Sequence, residues 1–293
     1  YGHALEAQES DGKTFVFVKG VPSAGMLHLS FDPAEVDAQS EFTAPFKMSA
    51  QEDMRTIETP FYVILLNKAG QIARLYDKTC DREVLADGQC ANVLQMFEDK
   101  PLDNDAWDID IFYQEKMREV TELTAFEVTE CGKLRMVVHM EWTYMHSSIA
   151  QDMILYANNR RIDFETYVDY HEQHQLLKAA FPVDIRSTYG TYDVQYGNVR
   201  RPNHWNTSWD QARFESVAHR FADLSEHGYG VSLLNDCKYG HDIKDNVIRI
   251  SLLKAATHPD HLQDQGGHVF TYALLPHDGD FVNGNTVPQA AAL

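Results

Sequence analysis

The sequence predicts an all-β protein in which many antiparallel strands form two large sheets packed face to face. Apolar and polar residues alternate over many segments, turn-forming residues separate these segments, and helical signals are few. The alternation is clearest at residues 161–169, where Ile162, Phe164 and Val168 fall on one face. More than ten strand candidates exceed what an immunoglobulin-like domain holds, so we expect a larger sandwich.

Residues 1–57 are predicted to form part of a small β-domain and a linker. Short strands are expected at residues 14–18 and 26–31, and the polar stretch 33–53 is expected to be a loop. We therefore place a domain boundary near residue 57, with the sandwich domain at residues 58–293.

The rest of the chain is predicted to be almost wholly β. Strands at residues 61–66 and 71–76 flank a turn that ends at Gly70, and residues 81–85 are expected to form a helical turn. Further strands are predicted at residues 134–144, 149–156, 161–170, 177–183, 192–196, 212–221, 230–234, 247–253 and 268–275.

Composition and charge exclude several classes of partner. A chain of 293 residues with 44% hydrophobic residues can bury a sizeable core. Its net charge of −19 argues against binding to nucleic acid or to anionic membrane surfaces, and is typical of a well-solvated protein. No apolar run approaches the roughly 20 residues that a membrane span needs, so no membrane partner is expected.

Cysteine usage predicts a reducing compartment. Cys80, Cys90, Cys131 and Cys237 are too sparse for a disulfide scaffold, so we expect free thiols and a cytoplasmic location. A disulfide between Cys80 and Cys90 is the alternative. The chain begins at Tyr1 without a secretory signal, and both of its ends look like cuts within a longer protein.

Residues 97–112 hold the densest cluster of acidic side chains. Six carboxylates lie in this stretch together with Trp107, and such density requires a cation, hydrogen-bond donors or full solvation. A flat aromatic face beside hydrogen-bond acceptors is what sugar binding uses. A Ca²⁺ loop and a merely solvated loop are the alternatives, although the stretch lacks the glycine and the distal glutamate of an EF-hand.

Other motifs give little support for chemistry. Residues 171–174 are one residue short of the H-E-x-x-H zinc motif, and a polar loop is the preferred interpretation. The chain has no G-x-S-x-G motif and no phosphate-binding loop motif, and its 14 histidines are dispersed. We expect the sequon at residues 206–208 to make local hydrogen bonds rather than carry a glycan.

Residues 97–110 resemble the FEDxPxxxDAWDID segment of bacterial and lysosomal-type α-mannosidases, which form glycoside hydrolase family 38. Further segments resemble the family in its own order, with LLKvxFP at 177–182, iqfGxxxRP at 194–202, NTSWDxAxFE at 206–215 and yGvsLLND at 229–236. The resemblance covers roughly residues 60–277.

The resemblance implies a β-supersandwich of the galactose-mutarotase type, and residues 12–25 are similar to the small β-domain that precedes it. It also implies a retaining mechanism whose zinc ion and two catalytic aspartates belong to an N-terminal barrel. Because the barrel motifs are absent from this sequence, we expect a non-catalytic C-terminal part of a zinc-dependent α-mannosidase, inactive alone and without a cofactor or metal of its own. Its expected partners are mannosides or oligosaccharides at the parent active site and the rest of its own polypeptide.

In the family the β-domain places an aromatic and a basic side chain against the bound sugar. The resemblance assigns these roles to Trp107 and Lys254, with Asp105 in the same motif as Trp107. Relatives commonly carry arginine at the position of Lys254, and lysine keeps the charge but lacks the planar fork that holds two oxygens. The alternatives are that Trp107 packs against the barrel and that Lys254 pairs with a surface acid.

Two other functions remain open at this point. The first is a free-standing carbohydrate-binding module. The second is an aldose epimerase, which needs a histidine and a glutamate at the centre of one sheet, and His139 and Glu141 are the candidates.

Overall fold

The computed structural model describes residues 5–21, 25–29 and 45–293. Strands dominate the described chain, as expected from its alternating segments rich in β-branched and aromatic residues. The first nine strands are β1 (Ala7–Ser10), β2 (Lys13–Val16), β3 (Lys47–Gln51), β4 (Met54–Glu58), β5 (Tyr62–Leu66), β6 (Ile72–Asp77), β7 (Arg82–Glu83), β8 (Val93–Glu98) and β9 (Met117–Glu119).

The remaining strands are β10 (Leu123–Cys131), β11 (Arg135–Tyr144), β12 (Ser147–Tyr156), β13 (Ile162–Tyr170), β14 (Gln175–Pro182), β15 (Tyr189–Val194), β16 (Gly197–Pro202), β17 (Ser216–Val217), β18 (Phe221–Glu226), β19 (Tyr229–Asn235), β20 (Gly240–Lys244), β21 (Val247–Lys254) and β22 (Gly266–Asp278). The helices of the described residues are short: a 3₁₀ helix at Ile111–Glu115, α1 (Ser208–Gln211) and α2 (Thr286–Ala291).

Hydrogen bonding arranges these strands into four sheets. The largest has nine strands in the order β10-β11-β12-β13-β22-β19-β18-β15-β16, and the next has six in the order β17-β20-β21-β14-β8-β9. A five-stranded sheet runs β3-β4-β5-β6-β7, and β1 pairs with β2 alone. Neighbouring strands are antiparallel throughout, so the all-β prediction of a large antiparallel sandwich is confirmed.

Aromatic side chains hold the two larger sheets together. Phe164 on β13 stacks on Tyr272 on β22 with ring centroids 5.1 Å apart, and Phe181 from the six-stranded sheet meets Tyr272 edge-on at 6.1 Å. The buried Tyr272 hydroxyl donates to Asn92 at 2.6 Å and accepts from Gln151 at 2.8 Å, so its burial leaves no unpaired polar group. Truncating one of these rings to alanine is expected to cost about 3–5 kcal/mol of unfolding free energy.

The five-stranded sheet belongs to the same hydrophobic core. Along β5 the side chains alternate inward and outward, and Tyr62, Ile64 and Leu66 are buried. The turn after β5 fits closely against β11, because the Trp142 indole donates to the carbonyl of Ala69 at 2.7 Å. Gly70 completes the turn with φ +79°, a conformation that favours glycine.

The β1–β2 hairpin packs against one edge of the nine-stranded sheet. The Gln8 side chain accepts from the backbone N–H of Leu134 at 2.7 Å, and its amide donates to the Glu130 carboxylate. The Arg135 guanidinium lies 3.7 Å from the Phe15 ring centroid. This hairpin is therefore tied to β10 and β11 by polar and aromatic contacts.

Several predicted segments agree with the structure. The strands predicted at residues 134–144, 149–156 and 161–170 are confirmed as β11, β12 and β13, which are consecutive neighbours in the nine-stranded sheet. The strand predicted at residues 247–253 is confirmed as β21, and the one predicted at 268–275 as the longer β22.

Other predicted segments were wrong. Residues 81–85 contain β7 rather than a helical turn, because this segment pairs with β6. Residues 47–51 form β3 rather than a loop, while residues 33–44 of that predicted loop lie outside the described residues. Residues 26–29 belong to no strand, and residues 30–31 of that prediction are likewise outside the described part.

The strand predicted at residues 212–221 was wrong over most of its length. Only β17 and the first residue of β18 fall within it, and α1 directly precedes it. Helix α1 begins where Asp210 N donates to the Thr207 hydroxyl at 3.2 Å and Thr207 N donates to the Asp210 carboxylate at 3.1 Å. The sequon threonine thus makes the local hydrogen bonds that the sequence predicts for it.

The division into residues 1–57 and 58–293 stays a prediction. Strand β4 pairs with β5, with Ile57 opposite Ile64, so the five-stranded sheet extends across residue 57. Strands β3 to β7 therefore form one hydrogen-bonded unit on both sides of the predicted boundary.

Candidate functional site

The acidic stretch forms a loop between β8 and the 3₁₀ helix, and its own side chains fold it. Trp107 N and Asp108 N donate to the Asn104 carbonyl at 2.7 and 3.0 Å, and Asn104 has φ +54°. The Asp110 carboxylate accepts from Leu102 N at 2.9 Å. Carboxylates that bind backbone N–H groups in this way hold the loop in shape without a cation.

Trp107 stands at the exposed tip of this loop. Its side chain is 69% exposed, and Leu102 on the same loop and Phe112 in the 3₁₀ helix that follows are 97% and 69% exposed. Exposed large apolar side chains in one segment mark a contact surface for a ligand or for another part of a protein. An exposed indole of this kind serves as a sugar platform or as a packing surface.

Asp105 fastens the loop to the segment that follows β21. Its Oδ2 accepts from Thr257 N at 2.6 Å and from the Thr257 hydroxyl at 3.2 Å, and His174 Nδ1 lies 3.7 Å from the same oxygen. Burial alone would raise the pKa of Asp105, but the two Thr257 hydrogen bonds and the nearby His174 and Lys254 lower it. Asp105 is thus an ionised side chain with one oxygen committed to the fold.

Lys254, the last residue of β21, pairs with a buried acid. Its ammonium contacts Oδ2 of Asp99, which is 2% exposed, while the Lys254 side chain is 19% exposed. Burial raises the pKa of Asp99, and the Lys254 ammonium opposes that effect. The sequence-based alternative that Lys254 pairs with a surface acid is right about the ion pair but wrong about its exposure, because Asp99 is buried.

Sheet register brings these distant residues together. Strands β8, β14 and β21 are neighbours, with Glu98 opposite Gln175 and Leu176 opposite Lys254. Asp99 follows β8 directly, and its backbone N–H donates to the His174 carbonyl at 2.8 Å, just before β14 begins. The ends of three adjacent strands thus converge at one point.

Three buried polar atoms at this point have no hydrogen-bond partner among the described residues: Asp99 Oδ1, Asp105 Oδ1 and His174 Nδ1. A buried polar group left unpaired costs about 1–3 kcal/mol, so three of them in one cluster are costly in the fold alone. Two carboxylate acceptors, an imidazole nitrogen and an ammonium are groups that bind hydroxyls, and the exposed Trp107 on the same loop as Asp105 offers a flat face to a sugar ring. We call Asp99, Asp105, His174 and Lys254 the polar cluster.

A second, largely buried network supports the same sheet. The Lys178 ammonium is 0% exposed, lies 2.5 Å from Asp242 Oδ2, contacts the Glu215 carboxylate and donates to the Tyr113 hydroxyl at 3.2 Å. Arg249 Nε donates to Asp242 Oδ1 at 2.8 Å. Burial would lower the pKa of Lys178, but Asp242 and Glu215 raise it, so the ammonium stays charged.

The other sequence candidates have structural roles. His139 Nδ1 lies 2.6 Å from Asp152 and its Nε2 lies 3.2 Å from Glu141, on the second strand from one edge of the nine-stranded sheet rather than at its centre. In residues 171–174, the buried Glu172 accepts from the Ser147 hydroxyl and from His146 N, each at 2.9 Å.

Metal and membrane features can be assessed over the part of the chain that the structure describes. There, no group of three or more histidine, cysteine, aspartate or glutamate side chains is arranged to hold a metal ion. No helix within these ranges is long and apolar enough to cross a membrane. Cys80, Cys90, Cys131 and Cys237 are all free thiols.

Asp99, His174 and Thr257 are residues that sequence reasoning missed. Asp99 was visible as one acid among six, but nothing in its local pattern distinguishes it. His174 lay in a segment assigned to a polar loop. Only the pairing of β8, β14 and β21 identifies their common location.

Comparison with known proteins finds relatives that are named alpha-mannosidases. The model of the glycosyl hydrolases family 38 C-terminal domain matches residues 57–262. Alpha-mannosidase G of Dictyostelium discoideum is 40% identical over 257 residues, which is 86% of this chain and 24% of the relative. Alpha-mannosidase 2C1 of Homo sapiens is 38% identical over 243 residues, which is 81% of this chain and 23% of the relative.

The fold is similar to that of a solved structure, an alpha-mannosidase from Enterococcus faecalis V583, with a TM-score of 0.69 at 14% identity. That match covers 86% of this chain and 32% of the solved one. The chain spans about a quarter of the length of the curated relatives that it matches. It therefore belongs to glycoside hydrolase family 38, and it corresponds to the C-terminal domain of that family.

Proposed function

We propose that this chain is the β-sandwich part of an α-mannosidase, in which it forms one wall of the sugar site and does not itself carry out hydrolysis. The observation that carries the proposal is the exposed Trp107 on the same loop as Asp105 of the polar cluster, in a chain whose relatives are named alpha-mannosidases. Trp107, Lys254 and Asp105 would contact the bound mannoside.

The chemistry of the site supports these roles. The Trp107 indole offers a flat apolar face to the C–H side of a sugar ring, and Lys254 offers a donor to a hydroxyl oxygen. Asp105 has one oxygen bound to Thr257 and a second without a partner in the described residues, so one acceptor remains for a hydroxyl group. Because Asp99 fixes the Lys254 ammonium, Lys254 would act from a set position.

The zinc ion and the pair of catalytic carboxylates that the family resemblance implies would lie outside this chain. We propose a retaining reaction on that basis, with the chain binding and orienting the sugar. The exposed Leu102, Trp107 and Phe112 also suit packing against the rest of the polypeptide, which would hold the enzyme together. The free thiols support a cytoplasmic location.

The test compares the protein expressed from its complete coding sequence with the 293-residue chain. We expect the complete gene product to hydrolyse an aryl α-mannoside and the chain alone to be inactive. Robust turnover by the chain alone would contradict the proposal. Loss of activity after zinc chelation, with recovery when zinc is restored, is expected of the complete gene product.

A carbohydrate-binding module is the second candidate, because an exposed tryptophan beside carboxylates also suits simple sugar binding. Calorimetry of the chain with mannose and mannobiose separates the two functions. Millimolar or tighter binding by the chain, together with an inactive complete gene product, would favour the module.

A further inference from the structure

A cavity of about 590 Å³ lies beside Lys254, against strands β14, β17, β20 and β21. Its apolar wall is formed by Ile109, Leu176, Leu252 and Leu253. Its volume is within the range of small-molecule sites in proteins. Lys254 is shared by this cavity and the polar cluster, and the charges in the other walls of the cavity are the basis of the inference.

Two guanidinium groups line this cavity without a carboxylate partner in the described chain. The Arg201 Nη1 donates to the Val217 carbonyl at 3.1 Å, and its guanidinium lies 4.9 Å from the Tyr192 ring centroid, so Arg201 is held in place. The Arg213 side chain makes no hydrogen bond or ion pair with the described residues. Arg201 is half-buried and Arg213 is exposed, and both guanidinium groups line the cavity without a carboxylate partner in the described residues.

The other charges of the cavity wall are already matched. Glu215 contacts the Lys178 ammonium and accepts from the Tyr113 hydroxyl at 2.6 Å. Lys254 is paired with Asp99. The cavity thus keeps two positive charges in a chain with 44 acidic and 25 basic residues, where carboxylates to neutralise them are abundant.

Hydroxyl groups add to this donor set. The Ser251 hydroxyl lines the cavity and is buried without a hydrogen-bond partner among the described residues, and Ser216 lines the same wall. Guanidinium forks with nearby hydroxyls are the donors that bind phosphate and carboxylate oxygens with charge-assisted hydrogen bonds.

We propose that this cavity binds a phosphate group through Arg201, Arg213 and Ser251. The group belongs either to a free inorganic anion or to a sugar that carries it. The inference goes beyond the proposed function, since the anion site does not depend on mannoside hydrolysis.

Calorimetry of the complete gene product tests the site with inorganic phosphate, mannose 6-phosphate and uncharged mannose. We expect the native protein to bind phosphate, and Arg213→Gln to weaken that binding about tenfold, the value of one lost charge-assisted contact. Because the Arg213 side chain has no partner in the described chain, this variant should fold normally. Arg201→Gln should weaken phosphate binding similarly.

Arg200→Gln is the matched control, because Arg200 is adjacent in β16 but lies over the Tyr189 ring, outside the cavity lining. Its phosphate affinity should equal that of the native protein. Tighter binding of mannose 6-phosphate than of phosphate, lost in Arg213→Gln, would assign the site to a phosphorylated sugar, and equal or weaker binding would assign it to a free anion. Equal affinity of all variants, or no binding of either anion, would overturn the proposal and leave the separately measured mannoside hydrolysis unaffected.

Discussion

Removing the Lys254 ammonium is expected to destabilise the protein by about 3 kcal/mol, because Asp99 then becomes a buried carboxylate without its cation. Breaking a fully buried ion pair from one side typically costs about 3–5 kcal/mol. Asp99 is 2% exposed, whereas the Lys254 side chain is 19% exposed, which places Lys254→Met at the lower end of that range. Replacing both partners, in Asp99→Asn with Lys254→Met, should recover most of the loss because no buried charge remains.

The cost of Lys254→Met should also depend on pH. Burial raises the pKa of Asp99 above its ordinary value, so the unpaired carboxylate penalises the folded state when it is ionised. The penalty is therefore complete above the raised folded pKa of Asp99 and declines as the pH falls below that value. It is absent below the unfolded pKa of an aspartate, about 3.9. We expect Lys254→Met to lose less stability, relative to the native protein, at pH 5 than at pH 7.

Urea unfolding followed by tryptophan fluorescence measures both effects. The matched control is Lys116→Met, because Lys116 pairs with Glu98 nearby but its side chain is 72% exposed, so its removal should cost less than about 1 kcal/mol. If Lys254→Met cost no more than Lys116→Met, the Lys254–Asp99 pair would not be the buried interaction inferred from the structure.

Three further predictions concern the fold around the site. Lys178→Met should lower the free energy of unfolding by about 3–5 kcal/mol in urea unfolding, since it leaves Asp242 and Glu215 without the shared ammonium. An unchanged free energy would show that Lys178 does not stabilise this network. Gly70→Ala should lower the free energy of unfolding by about 2–3 kcal/mol, because residue 70 has φ +79° and an added Cβ would lie 2.8 Å from the Trp142 ring. Gly88→Ala is the control: residue 88 has φ +69° but an added Cβ meets open space, so the loss should be only about 1 kcal/mol. His139→Gln should reduce thermal stability more at pH 6 than at pH 8.5. Burial lowers the pKa of His139, but the carboxylates of Asp152 and Glu141 raise it by more, so the folded pKa is above the ordinary value. The stabilising charge of His139 is therefore present below the unfolded pKa of about 6.5 and is lost as the pH rises through the folded pKa. An equal loss at both values of pH would contradict this assignment.

Local patterns in the sequence were sufficient for the fold class and for many strands. Alternation predicted β13 because Ile162, Phe164 and Val168 face the core at every second position. The strand predicted at residues 212–221 was wrong over most of its length. The Thr207-x-x-Asp210 capping pattern was present in the sequence and would have indicated the helix start.

The composition of the site could not be read from local patterns. The motif pointed to Trp107, Lys254 and Asp105, but the partner of Lys254 lies 155 positions away in the sequence. Asp99 and Lys254 meet because β14 lies between β8 and β21 with a defined register, and such non-local pairing leaves no periodic signal in the chain. The uncompensated Arg201 and Arg213 were hidden for the same reason, since a missing partner is visible only in three dimensions.

The kinetics of Trp107→Ala in the complete gene product test the central claim most directly. Trp107 is 69% exposed, so the variant should keep the native melting temperature, and kcat/KM for an aryl α-mannoside should fall at least tenfold, about 1.4 kcal/mol of transition-state binding. Trp209→Ala is the control, because Trp209 is 77% exposed on α1 and outside the proposed site. A native kcat/KM in Trp107→Ala, with native stability, would contradict the account that this chain forms a wall of the mannoside site.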